Sequence, residues 1–224
     1  MAEQADPTET GPTPTASPHA DPAHEVADRA ALDALYDAPG RRALTKEAGH
    51  LTSAYRRFVE AAPCLVIASA GSQGLDLSPR GDPGQAAFVL DARTLAIPDR
   101  RGANRIDTLR NLLDDPRIGL IFLIPGTGEA LRIRGRARLS VDPDRRARFA
   151  MEDRPPTLVT LVAIERVCFQ CARAVMRAQL WSPEAWPDPE TLPTVGRMNA
   201  NPDPDFDVEA YDQGLRERQL GSLW

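Results

Sequence analysis

Arginines, a glycine and an asparagine separate an apolar run from a helix-like segment in Leu95-Ala96-Ile97-Pro98-Asp99-Arg100-Arg101-Gly102-Ala103-Asn104-Arg105-Ile106-Asp107-Thr108-Leu109-Arg110-Asn111-Leu112. These residue types in this order suit a phosphate. Asn104 is a favourable N-cap and Asp107, three residues on, can answer it in a capping-box arrangement, so a helix is expected from Asn104 to Asp114. Free backbone N–H groups at that start, with Arg100, Arg101 and Arg105 beside them, would hold a dianion by dipole, hydrogen bonds and charge together. The same spacing also fits an Arg-rich surface turn whose charges pair with Asp99 and Asp107, since such pairs are common and contribute little.

The surrounding elements must position this turn. A helix is expected over 25–37, ending before Pro39-Gly40, and a second over 52–61, stopped by Pro63. Beyond Pro63 the pattern changes to strands. Residues 64–70 and 75–78 flank the turn Gly71-Ser72-Gln73-Gly74, and residues 86–90 and 94–97 flank Asp91-Ala92-Arg93, giving two hairpins. Residues 117–124 read as a buried strand closed by Pro125-Gly126. In 129–141, Leu131, Ile133 and Leu139 alternate with Arg132, Arg134, Arg136 and Arg138, which predicts a long strand with one apolar and one cationic face. A helix from Asp142-Pro143 to about Met151, a strand over 157–167 and a helix over 170–180 follow. About six strands, mostly in hairpins, predict a mostly β fold: a closed or nearly closed antiparallel barrel with flanking helices. No G-x-G-x-x-G motif or strict strand–helix alternation supports a parallel dinucleotide-binding sheet.

Composition sets the outer limits. The 224 residues, 42% of them hydrophobic, suffice for one domain with extensions. Residues 1–24, with Pro7, Pro12, Pro14, Pro18 and Pro22 among small and acidic residues, are expected to be a disordered tail. Residues 25–50 read as a helical extension, 51–187 as the barrel and 188–224 as an irregular tail. No apolar run approaches bilayer length and the N-terminus carries no signal-like pattern, so a soluble cytoplasmic protein without membrane contact is expected. The net charge of −5 resides in the N-terminal stretch, which has no Lys or Arg before Arg29. The near-neutral body lacks the broad positive field of a nucleic-acid binder, and its local arginine clusters point to a small anionic ligand.

Lys46 is the only lysine, and His19, His24 and His50 are the only histidines. Everything beyond residue 50 therefore works without imidazole or amine, which excludes a Ser-His-Asp triad, His-ligated zinc, a lysine Schiff base and a phosphate-loop lysine there. If the chain is an enzyme, a bound cofactor is the expected source of its reactive atoms. Cys168-Phe169-Gln170-Cys171 spells a C-x-x-C that could act as a redox dithiol, although its position after an apolar strand favours burial. With Cys64 the only further cysteine, a four-cysteine zinc site cannot form. Arg80-Gly81-Asp82, an adhesion tripeptide by spelling, reads as an ordinary turn.

Five segments in order, Leu77–Pro83, Leu95–Arg105, Gly119–Gly126, Leu131–Ala137 and Cys171–Trp181, resemble the pyridoxamine 5'-phosphate oxidase-like FMN-binding split barrels over roughly residues 50–187. The resemblance implies a six-stranded split barrel and a homodimer, with one FMN at each of two sites across the subunit interface. It implies that Ser78 and Arg80 flank the flavin and its phosphate, that Ile97 and Pro98 lie beside the ring, and that Arg100, Asn104 and Arg105 hold the phosphate. Arg177 and Trp181 match a late helix end that approaches the flavin from the partner; ordinary packing of a helix terminus accounts for the same two residues.

The sequence also departs from that pattern. Gln170-Cys171-Ala172-Arg173 replaces a common His-Cys-x-Lys, Ala103 stands where Asn is common, and the Arg-x-His substrate segment of true pyridoxamine phosphate oxidases is absent because no histidine follows His50. The expectation is an FMN-dependent oxidoreductase acting on another small substrate, with a nicotinamide as a candidate electron donor. Two alternatives stay open: a non-catalytic flavin carrier or sensor, and a split barrel using deazaflavin or haem.

Overall fold

Alternating apolar and polar residues beyond Pro63 fold into seven strands: β1 (Cys64–Gly71), β2 (Gly74–Gly81), β3 (Phe88–Asp91), β4 (Thr94–Pro98), β5 (Arg117–Leu123), β6 (Ala130–Ser140) and β7 (Val159–Gln170). The computed structural model describes residues 21–72, 74–102, 104–200, 203 and 205–223. The expected disorder of residues 1–24 falls largely outside them. All strand pairs are antiparallel, in the order β2-β1-β5-β6-β7-β4-β3. The architecture is thus mixed α/β around a seven-stranded sheet that does not close, which corrects the mostly β, six-stranded, closed or nearly closed barrel expected above.

The sheet nevertheless curls. Leu65 and Ile67 of β1 share one core with Leu95 and Ile97 of β4, four places away in strand order, and with Leu131, Ile133 and Val162 between them. Ala86, just before β3, donates its N–H to the carbonyl of Ala62, just before β1, at 2.8 Å. The two edges approach without laddering, and a split remains.

β6 shows how the pattern sets the faces. Leu131, Ile133 and Ala137 are buried while Arg132, Arg134, Arg136 and Arg138 are exposed, as the period of two requires. A bulge shifts the register with β7 between Arg134 and Gly135. There a Cβ on Gly135 would run into the Ala163 carbonyl, so a side chain is excluded by close approach of the backbone.

α1 (Arg29–Asp33) and α2 (Arg41–Thr45) precede α3 (Ser53–Glu60), whose Thr52 cap accepts the Tyr55 N–H at 3.2 Å and whose Val59 is fully buried. α4 (Asp107–Asp114) lies against β1, β2 and β6. Asn111 donates to Ser69 Oγ and the Gly74 carbonyl, both at 3.3 Å, and Gly71 leaves room for the helix, since a Cβ there would sit 2.8 Å from Asn111 Cα. α5 (Pro143–Ala147) and α6 (Arg173–Arg177) are shorter than the expected helices over 142–151 and 170–180; β7 itself runs on to Gln170.

Among the described residues, those up to Arg41 and those from Arg42 onward form separate compact units. In the first, Asp28 caps α1 through the Ala31 N–H at 2.8 Å. The helix expected over 25–37 shrinks to α1, which buries no side chain and so lacks the packing that sustains a longer helix. In the second, the tail expected to be irregular carries α7 (Val195–Ala200), α8 (Val208–Asp212) and α9 (Leu215–Leu220). Asp212 accepts the Gly196 N–H at 2.8 Å, and the Phe206 and Tyr211 rings lie 5.1 Å apart. No helix among the described residues is long and apolar enough to cross a membrane.

Candidate functional site

The period of two in β2 puts Asp76, Ser78 and Arg80 on one face, half-buried, while Leu75, Leu77 and Pro79 point the other way. Arg80 donates to Ser78 Oγ through Nη1 and to its neighbour's carbonyl, Pro79 O, at 2.9 Å. Asp76 accepts the Thr108 hydroxyl from the first turn of α4.

Ile97 and Pro98 are buried at the end of β4, where Pro98 pairs with Val159. Asp99 then exchanges backbone bonds with the 157–158 segment: its N–H donates to Leu158 O at 2.9 Å and its carbonyl accepts from Thr157 at 3.3 Å. Burial pushes the Asp99 carboxyl above its usual value, and the nearby positive charge of Arg80 opposes that shift. Arg80, Ser78 and the end of β4 therefore form one neighbourhood.

Arg100 lies in an internal ion pair. Its Nε lies 3.0 Å from both oxygens of Asp82, its Nη2 2.7 Å from Oδ2, and its Nη1 2.6 Å from the Phe149 carbonyl. The side chains are 11% and 5% exposed. This bidentate pair joins the loop after β4 to the loop after β2, across the split. Asp82, not Asp99, is the partner, and its burial shows that Arg80-Gly81-Asp82 is not presented as a tripeptide.

The turn itself differs from the expected cap. Asn104 has φ 58°, the left-handed region, whereas an N-cap needs extended backbone. α4 starts three residues later, at Asp107, with Ile106 in the cap position and no side chain capping it. Asp107 faces Arg105 and Arg110 instead of reaching back, so the capping box is absent. The Arg105–Asp107 pairing is the local ion pair foreseen in the surface-turn alternative. Its hydrogen bond to Asp107 holds the Arg105 guanidinium pKa up, and Arg105 stays 87% exposed. Arg101 is exposed as well.

What results is a helix start with no side-chain cap, with Arg105 just before it and with Asp76, two residues before Ser78 on β2, bonded to its Thr108. Thr108, Asp76 and Asp82 belong to this region and were not singled out from sequence. The β2 alternation marks Asp76, two residues before Ser78; nothing in the spacing marks the 18-residue link between Asp82 and Arg100.

Arg177 ends α6 and is exposed, while Trp181 donates its indole N–H to Thr127 O, in the turn between β5 and β6, at 2.9 Å. Among the described contacts, none brings either residue to the Ser78–Arg80 group of the same chain. Cys168 is buried on β7 and Cys171 is exposed just beyond it, both as free thiols. No group of three His, Cys, Asp or Glu gathers among the described residues.

Solved structures to which the chain is similar include HupZ of Group A Streptococcus (17% identity, 52% of this chain and 91% of that one, TM-score 0.41). A candidate pyridoxamine 5'-phosphate oxidase from Lactobacillus delbrueckii matches at 20% identity over 54% of this chain and 94% of that one, with a TM-score of 0.43. General stress protein 26 of Bacillus anthracis matches at 10% identity over 50% and 88%, with a TM-score of 0.38. No curated protein sequence matches the chain. The pyridoxamine 5'-phosphate oxidase family model matches residues 51–171, which is more than half of the chain and contains β1 to β7 and the whole turn around α4. On that match the chain belongs to the pyridoxamine 5'-phosphate oxidase family.

Proposed function

We propose that this chain is an FMN-binding flavoprotein that works as an oxidoreductase on a small molecule other than pyridoxamine phosphate. The observation that carries the reading is the start of α4, which lacks a side-chain cap, has Arg105 just before it and is tied to β2 through Thr108 and Asp76. Backbone N–H groups at such an end, with the Arg105 guanidinium beside them, suit the dianionic phosphate of FMN. Ser78 holds Arg80 in place by accepting its hydrogen bond, and Asn104 turns the chain so that α4 begins beside β2. Ile97 and Pro98 offer a buried strand end for the edge of the ring, and Arg100 acts through Asp82 to fix the loop that carries the phosphate residues.

The bound flavin would supply hydride or single-electron chemistry, which this imidazole-free body lacks in its own side chains. The same reading makes the protein a homodimer, with Arg177 and Trp181 of one subunit approaching the flavin of the other.

Anaerobic mixing of the FMN-loaded protein with NADH or NADPH tests the oxidoreductase reading. Bleaching of the flavin band, followed by reoxidation with an acceptor, is the expected result. Retained flavin that dithionite reduces but neither NADH nor NADPH does would identify a carrier or sensor instead.

A further inference from the structure

α4 is fastened to the β1–β2 hairpin along one stripe of polar side chains. Thr108, Asn111 and Asp114 follow one another at three-residue spacing and so share a face of the helix. The Thr108 hydroxyl donates to Asp76, the Asn111 amide donates to Ser69 Oγ and to the Gly74 carbonyl, and Asp114 accepts the Ser72 N–H at 3.2 Å and the Ser72 hydroxyl at 2.9 Å. Thr108 and Asn111 are 3% and 5% exposed. These directional bonds fix where the helix sits along the hairpin, which the apolar burial of Leu109 and Leu112 beside them does not do alone.

The link at Thr108 differs from the other two in where it ends. Asp76 lies on the same face of β2 as Ser78 and Arg80, and Thr108 is the second residue of α4. Their bond ties the uncapped helix start to the strand that carries Ser78 and Arg80. It also fixes a negative charge there. Hydrogen bonding and charge from Asp107 hold the Arg105 guanidinium pKa up, and Asp76 adds to this through space. The two carboxylates differ in freedom: the pairing of Asp107 with the 87% exposed Arg105 opens at little cost, whereas Asp76 is held by the buried Thr108.

We propose that Asp76 is a positioning residue of the phosphate site that also moderates it. Through Thr108 it sets the start of α4 against the strand of Ser78 and Arg80, and its charge, which cannot swing away, weakens the hold of Arg105 and the helix start on the phosphate of FMN. The inference rests on the reading of this turn as the FMN phosphate site. It adds that the site is built below its full affinity, with one carboxylate both placing the helix and opposing the anion that the helix receives.

The test titrates FMN and riboflavin, which lacks the phosphate, into the flavin-free full-length protein and follows the quenching of flavin fluorescence. Wild type should bind FMN more tightly than riboflavin. Asp76→Asn keeps an acceptor for Thr108 and removes the charge; FMN should bind about fivefold more tightly, a gain that fades as salt is added, with riboflavin unchanged. Thr108→Val keeps the shape and removes the bond; FMN should bind about fivefold more weakly, because the helix start is no longer held in its binding arrangement. Ser72→Ala, at the far end of the stripe, should leave both affinities unchanged. If Thr108→Val fails to fold by circular dichroism, Thr108→Ala carries the same expectation. Opposite effects from the two halves of one hydrogen bond are what a purely structural link would not give. An Asp76→Asn protein that binds FMN as wild type does, or more weakly, would overturn the proposal and leave the phosphate site standing. A wild type that binds FMN no more tightly than riboflavin would overturn the phosphate site itself, and the proposal with it.

Discussion

Replacing Arg100 with Met keeps most of the side-chain stem and removes the guanidinium from a site where it makes three contacts to Asp82 and one to the Phe149 carbonyl. The Asp82 carboxylate, 5% exposed, is then left without that partner. Removing one member of a buried pair costs about 3–5 kcal/mol, mainly because the remaining charge stays out of water. Against a typical total stability of about 5–15 kcal/mol this is a large fraction. With a urea slope of about 2 kcal/mol/M, the unfolding midpoint of the flavin-free protein should fall by about 1.5–2.5 M. Adding Asp82→Asn to Arg100→Met should recover part of the loss, since the orphaned charge goes with it. Urea unfolding followed by tryptophan fluorescence measures all three proteins. A midpoint within about 0.3 M of wild type, together with a lost affinity for FMN, would refute the reasoning and make Arg100 a phosphate ligand and not a clamp across the split.

Arg105→Ala should weaken FMN binding without lowering the urea midpoint, because its pairing with Asp107 is exposed and contributes little to folding. The expected loss is about tenfold, the low end for a charge-assisted phosphate bond, and should shrink as salt is added; fluorescence quenching of titrated FMN measures it. Asp99 gives the pH dependence. Its folded-state pKa lies above the ordinary 3.8, so the folded protein binds its proton more tightly than the unfolded chain does. Its contribution therefore favours folding most below 3.8 and is lost as pH rises through the raised value. Asp99→Asn should accordingly have a higher urea midpoint than wild type at pH 7, with the difference vanishing near pH 3.

Much of the fold is legible because strand periodicity is a local property. The hairpin of β1 and β2, the Arg-out face of β6 and the Thr52-capped α3 all follow from residues within a dozen positions of one another. Closure is not local: whether the β2 and β3 edges pair depends on contacts such as Ala86 with Ala62, which no periodicity records. The N-cap at Asn104 illustrates a different limit. Asn serves both as a cap and in left-handed turns, and here the turn prevails, so α4 starts at Asp107. At the site, Ser78, Arg80 and Arg105 stand out by residue type. The role of Arg100 does not, because it depends on Asp82, which lies on another hairpin. The helices of the tail were missed because short polar segments rich in Pro and Asp carry almost no apolar period.

The central claim is that the turn around α4 holds the phosphate of FMN. It is tested most directly by the visible absorption spectrum of the purified protein, with mass spectrometry of whatever small molecule heat releases from it. The account predicts the two-banded spectrum of an oxidised flavin and the release of FMN. A colourless protein that also fails to take up added FMN would contradict it.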